Sequence, residues 1–96
     1  MKIIGIYKIE NKVNGKVYIG QSVDIKSRWR GHRHYLNTNT CNNDYLQKAW
    51  NKYGEENFKF EILEECKKEN LNKLEINYIN IFNTTNRDIG YNLEGG

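Results

Sequence analysis

Apolar and polar positions alternate from the start of the chain. Residues 2–10 put Ile3, Gly5, Tyr7 and Ile9 on one face of a strand and Ile4, Ile6, Lys8 and Glu10 on the other. Asn14-Gly15 is a hairpin turn signal, and residues 16–20 make the return strand. A two-residue turn pairs Asn11 with Tyr18, while a looser loop that sets Tyr7 opposite Tyr18 keeps the same parity. Either way Gly5, Tyr7, Tyr18 and Gly20 share a face, and the two glycines remove side chains beside two phenols, which leaves room for something to approach the sheet.

The period then lengthens to that of a helix. Ser22 or Asp24 caps a helix running to about Asn37, with Ile25, Trp29 and Leu36 as its buried stripe. Arg28 and His32, one turn apart, follow one flank of that stripe; Lys26, Arg30 and Arg33 spread over the other flank and the outer surface; His34 points away. After a polar loop at 38–43, a second helix runs from about Asp44 to Tyr53, capped by Asn43 and stopped by Gly54. Phe58 to Cys66 alternates as a third strand, expected to be central or near-central. A third helix spans about residues 68–82, with Leu71, Leu74, Tyr78, Ile81 and Phe82 as its stripe.

Glu75 projects inside that stripe and is the most informative local anomaly. A buried carboxylate is costly unless it is paired, hydrogen-bonded or bound to a cation. The plain alternative is an ion pair with a lysine or arginine elsewhere. A turn-rich stretch then leads to Gly90-Tyr91-Asn92-Leu93-Glu94 and two terminal glycines, either a true C-terminus or the start of a linker to a further domain. The expected architecture is α/β (α+β), a single domain over residues 1–96: a three-stranded antiparallel sheet, its order open, flanked by three helices.

Composition narrows this picture. Ninety-six residues can bury one modest core, and 12 % aromatics sets the chain apart from disordered segments. No stretch approaches the ~20 apolar residues of a membrane span, and the N-terminal apolar run is too short for a signal peptide, so an intracellular protein is expected. Cys41 and Cys66 are isolated and read as free thiols; with His32 and His34 they match no zinc-site spacing. Charge is uneven: residues 1–35 carry eight basic against two acidic residues, the remainder seven basic against ten acidic. A basic front half suits a polyanion-binding face, although charge bias alone also describes an ordinary solvated surface.

Gly5-Ile6-Tyr7 and Tyr18-Ile19-Gly20, ten residues apart around a hairpin turn, are followed in order by Arg28 and His32 in the first helix, Glu75 in the third, and Asn92 in a Gly-Tyr-Asn segment. This series resembles the GIY-YIG nuclease family over essentially the whole chain, most nearly the nuclease domains of phage and intron homing endonucleases. One departure stands out: some homing members have a histidine in the loop before the second helix, where this chain has Asn42.

The resemblance implies metal-dependent hydrolysis of DNA phosphodiester bonds, leaving 3′-hydroxyl and 5′-phosphate ends. Glu75 would hold one divalent cation, Mg2+ or Mn2+. Arg28 would clamp the scissile phosphate. Tyr7 would be the general base, its phenol biased toward ionisation by Arg28, Lys16 or the metal, with Tyr18 as the competing candidate or the group that positions the nucleophile. His32 would orient a tyrosine hydroxyl or relay its proton. Asn92 would tie the C-terminal segment to the core. Lys16, Lys26, Arg30 and Arg33 would meet the DNA backbone. The domain is expected to act as a monomer, either as the nuclease part of a larger enzyme with a C-terminal DNA-targeting domain or as a weakly specific standalone nuclease. Two rival readings are a catalytically silent nucleic-acid-binding module on the same fold and a protein-interaction domain; retention of the candidate residues argues against both.

Overall fold

The computed structural model describes residues 2–93. Strand β1 (Gly5–Asn11) is joined to β2 (Val17–Ser22) by a hairpin whose loop is longer than the dipeptide signal suggests. The Asn11 side chain accepts from the Val13 N–H, its backbone N–H bonds the Lys16 carbonyl, and the Gly15 N–H bonds the Asn11 carbonyl. The register therefore pairs Ile9 with Tyr18 and Tyr7 with Gly20. This lies midway between the two anticipated pairings and keeps their parity, so the same side chains share each face.

Helix α1 (Ile25–Asn37) is capped by Asp24, whose carboxylate accepts from the Ser27 N–H. Ser22 instead receives the Asp24 N–H on its hydroxyl. Helix α2 (Asp44–Tyr53) begins at the Asn43 cap and ends at Gly54, as the cap and stop residues dictate. Strand β3 (Phe58–Glu65) and helix α3 (Leu71–Phe82) complete the fold, with a short 3-10 turn before each.

The sheet order is β2-β1-β3, so β1 is central and β3 lies at an edge, contrary to the expected placement of β3. The reason is visible in the side chains. Ile6, Tyr7 and Ile9 of β1 are buried on both faces, whereas β3 carries Lys59, Glu61 and Glu65 and leaves Ile62 exposed. Charges of this kind suit an edge, where they discourage pairing with another chain. The β1–β3 register slips between Ile6 and Tyr7. Gly5 belongs to this slip, because a Cβ there would overlap the Glu64 carbonyl.

Two cores sandwich the sheet. Tyr7, Ile9, Phe58 and Tyr91 pack with Ile25, Leu36, Leu46 and Trp50 of α1 and α2. Ile6, Val17 and Ile19 pack with Leu71 and Ile79 of α3 on the opposite side. Each fully buried Ile or Leu contributes roughly 1.5–3 kcal/mol. The apolar stripe of α3 differs from the one expected: Ile79 is buried and Ile81 is 74 % exposed. With that shift, Glu75 falls one turn from each of the two buried residues of α3, Leu71 and Ile79.

After α3 the chain turns back along β2. Val17 exchanges backbone hydrogen bonds with Ile89 and Tyr91, forming an isolated parallel bridge at Gly90. Asn92 extends this strap: its Oδ1 accepts the Ile19 N–H at 2.8 Å and its Nδ2 donates to the Ile19 carbonyl at 3.0 Å. Glu94 and the terminal glycines lie outside the described residues. Among those described, no helix is long and apolar enough to cross a membrane.

Candidate active site

The hairpin register lays the Tyr7 phenol across the neighbouring strand. A Cβ on Gly20 would overlap the Tyr7 ring and hydroxyl, so the hydroxyl end is carried off β1 and over β2. The two glycines thus do not leave room for an incoming molecule, as the sequence suggested. Tyr7 itself fills the space at Gly20, and the β3 backbone fills the space at Gly5. The Tyr7 hydroxyl lies 2.7 Å from His32 Nε2 in a buried contact. The His32 ring meets Tyr7 and Tyr18 edge-on at 5.8 and 5.7 Å. Trp29 closes the other side of Tyr7, edge-on at 6.1 Å.

Tyr7 is 1 % exposed, whereas Tyr18 lines two clefts that meet at its ring. The larger, about 460 Å³, is bounded by Arg28, His32, Tyr35 and Cys41. The smaller, about 260 Å³, reaches over the β2 edge to Glu75, Ile79 and Asn92. Asn42 and Asn43 line both.

Burial pushes the Tyr7 phenol well above its ordinary range; the neighbouring Tyr18 and, more weakly, Glu75 push the same way, against the pull of the Arg28 guanidinium. Tyr18 is raised by burial first and further by Glu75, again against Arg28. His32 is pushed down to about 4, by burial and then by the charge of Arg28. At neutral pH the three groups are therefore two phenols and a neutral imidazole. Arg28 and Glu75 act on both phenols with opposite sign, so side chains from β1, β2, α1 and α3 belong to one electrostatic unit.

Glu75 makes no ion pair with a lysine or arginine among the described residues, so that explanation of its position fails. Gln21 Nε2 donates to Glu75 Oε1 at a long 3.3 Å and to Asn72 Oδ1 at 2.8 Å. A part-buried carboxylate on an open cleft, with a single weak donor, keeps most of its lone pairs for a cation. No three His, Cys, Asp or Glu side chains converge among the described residues. The donor set thus fits a hard divalent ion that is held by one carboxylate and retains several waters, which is the habit of Mg2+.

The anticipated backbone-binding residues divide. Lys26 and Arg30 are exposed on α1. Arg33 is engaged, 3.6 Å from Glu55 and 4.1 Å over the Phe60 ring. Lys16 donates to the Tyr45 hydroxyl outside both clefts, so it is not the cation that biases Tyr7. Sequence reasoning missed Gln21. Its signal was present, since Val17, Ile19 and Gln21 alternate onto the α3 face of β2, and the third of them is polar opposite the one acid in the α3 stripe. Asn43 caps α2 as expected, but its second contact, an Nδ2 donation to the Tyr91 carbonyl, was not foreseen.

The profile of the GIY-YIG catalytic domain matches residues 3–91. Intron-associated endonuclease 1 of Enterobacteria phage T4 is 41 % identical over 61 residues, covering 64 % of this chain and 24 % of that protein. A probable intron-encoded endonuclease 1 of Neurospora crassa is 39 % identical over 89 residues, covering 85 % of this chain and 28 % of its own length. The chain thus spans about a quarter of the curated relatives it matches. Among solved structures, the catalytic domain of homing endonuclease I-TevI superposes with a TM-score of 0.87 at 33 % identity, covering 95 % of this chain and 98 % of that one. A mutant form of the same domain gives 0.89 at 32 % identity, covering 98 % and 96 %.

Proposed function

This chain belongs to the GIY-YIG catalytic-domain family, and from that premise we propose that it is a metal-dependent DNA endonuclease acting as a monomeric module inside the cell. The observation that carries the reading is the placement of Tyr18 between two clefts, one bounded by Arg28 and the other by Glu75. Arg28, exposed on the cleft wall and without an ion pair among the described residues, offers paired donors to a phosphate. Glu75 would hold the divalent cation, Mg2+ or Mn2+, which supplies countercharge to the phosphoryl and leaving oxygens.

The sign of these charges decides between two roles for His32. Cations near the pair favour a tyrosine phenolate and disfavour an imidazolium. Arg28 already does both, and a cation at Glu75 would act the same way. With Arg28 and a cation at Glu75 together opposing the effect of burial, Tyr7 would serve as the base in its ionised form. His32 stays neutral, donates its Nε2–H to the phenolate oxygen and fixes its direction. The proton leaving water ends on the Tyr7 oxygen. Tyr18, the phenol that faces the cleft, positions that water. Cleavage leaves 3′-hydroxyl and 5′-phosphate ends, and Lys26 and Arg30 meet the DNA backbone.

A supercoiled plasmid at low salt tests this with wild type, Glu75→Ala, Tyr7→Phe and Tyr18→Phe, in Mg2+, Mn2+ or EDTA. Nicking by wild type is expected, abolished by EDTA and by Glu75→Ala. Tyr7→Phe should fall by roughly 10²–10⁴, the usual worth of a general base, and Tyr18→Phe by less. The reverse order would exchange the two tyrosines. Cleavage that survives Glu75→Ala would sink the metal assignment. DNA binding with no cleavage in any metal would leave a silent binding module.

A further inference from the structure

A depression of about 210 Å³ lies apart from the catalytic clefts, between the β1–β2 turn and α2, walled by Tyr45, Tyr53 and Tyr91 and ringed by Lys16, Lys48 and Lys52. No carboxylate lines it among the described residues. Lys48 and Lys52 stand one helical turn apart, a like-charge spacing that weakens a helix. Lys16, Lys48 and Lys52 make no ion pair among the described residues. Lys16 is instead fixed by the Tyr45 hydroxyl, which in turn donates to the Arg87 carbonyl, and the Arg87 guanidinium lies 5.3 Å over the same ring. Four cations thus gather around one tyrosine-walled hollow, and Asp88, beside Arg87, is the one carboxylate that acts on Lys16.

We propose that this hollow is a second contact surface for the DNA phosphate backbone, separate from the grip on the scissile phosphate, with Lys16, Lys48 and Lys52 as its charges. The inference rests on the nuclease reading above. Continuity with the catalytic clefts favours a duplex over an acidic protein. Asn43 lines both clefts and donates to the Tyr91 carbonyl, while the Tyr91 ring walls the hollow and packs 5.2 Å from Tyr45. A polyanion seated at Tyr18 and Glu75 meets the hollow across this one strap. Lysines act there as point charges on phosphate oxygens, which position a duplex without reading its sequence.

The test measures binding of a fluorescent duplex by anisotropy across a salt series, in a Glu75→Ala background so that nothing is cut. Lys48→Ala/Lys52→Ala should lower the slope of log affinity against log salt by about 2, at roughly 0.9 per lost phosphate contact. Lys48→Arg/Lys52→Arg should keep the parent slope. An unchanged slope and affinity in the alanine variant, with the parent binding, overturns the hollow and leaves the nuclease reading intact. Loss of affinity accompanied by a lowered melting temperature and not restored by arginine also overturns it, as a structural effect. A parent that fails to bind duplex at low salt overturns both. A parent that binds, with slope reduced as expected, beside a wild type that never cleaves, leaves the hollow standing and removes the nuclease.

Discussion

His32 sits at a charge-sensitive position beside Tyr7. Its imidazole is 6 % exposed, 2.7 Å from the Tyr7 hydroxyl, and held neutral down to a pKa of about 4 against an ordinary value of 6.5. A base whose folded pKa is lowered binds its proton first in the unfolded chain. Between pH 6.5 and 4 the unfolded state gains a proton that the native state refuses, so stability falls as pH drops through that window. The slope approaches about 1.4 kcal/mol per pH unit at full effect. Urea melts of wild type and His32→Asn, compared at each pH, isolate the contribution from that of the carboxylates. The gap between the two proteins should narrow steadily on acidification, and parallel curves through the window would mean that His32 titrates normally in the fold. The same neutrality fits the proposed catalysis, because a neutral His32 can donate its Nε2–H to the Tyr7 oxygen without placing a second cation beside Arg28.

At the scale of elements, α3 is where the sequence was read least well, and the reason is physical. Leu71, Leu74, Ile76, Tyr78, Ile79, Ile81 and Phe82 surround much of the helix, so periodicity alone leaves the choice between the two sides open. The sheet decides it by accepting Ile79 beside Val17 and Ile19 and leaving Ile81 in solvent. Ile79→Ala should therefore cost about 2–5 kcal/mol, while Ile81→Asp should stay within about 0.5 kcal/mol of wild type. Equal losses in chemical denaturation would contradict this orientation, and with it the placement of Glu75 between the two buried residues. Helix α2, by contrast, was legible to the residue, because Asn43 and Gly54 carry specific backbone chemistry at its ends. Strand β3 was legible as a strand but not as an edge: alternation reports which face is buried, not how many neighbours a strand has. Tyr7, Tyr18, Arg28, His32 and Glu75 could be nominated from motif order; Gln21 carried only the signal of a polar residue ending an apolar alternation, and its meaning depends on a contact between residues 54 positions apart.

For the whole molecule, surface area sets a limit on what this chain can recognise by itself. The chain exposes 5905 Å² in total, and specific protein–DNA interfaces bury on the order of 1,000–2,500 Å² of protein surface. A specific contact would thus occupy a sixth to two fifths of everything exposed, including the acidic edge at β3. The cations placed to meet DNA, Lys26 and Arg30 on α1 and the lysines around Tyr45, lie outside the two clefts, where they are placed for backbone phosphates. Residues 1–96 alone should accordingly cut a long duplex at many sites, with at most a few base pairs of consensus among the ends. The rate should fall steeply as salt rises, because the affinity is almost wholly that of phosphate contacts. Sequencing the ends produced from a long random DNA reads this directly. A single dominant site at low salt would place base readout within the two clefts, with Asn42, Asn43 and Tyr35 the first side chains to test, and the need for a separate targeting domain would disappear.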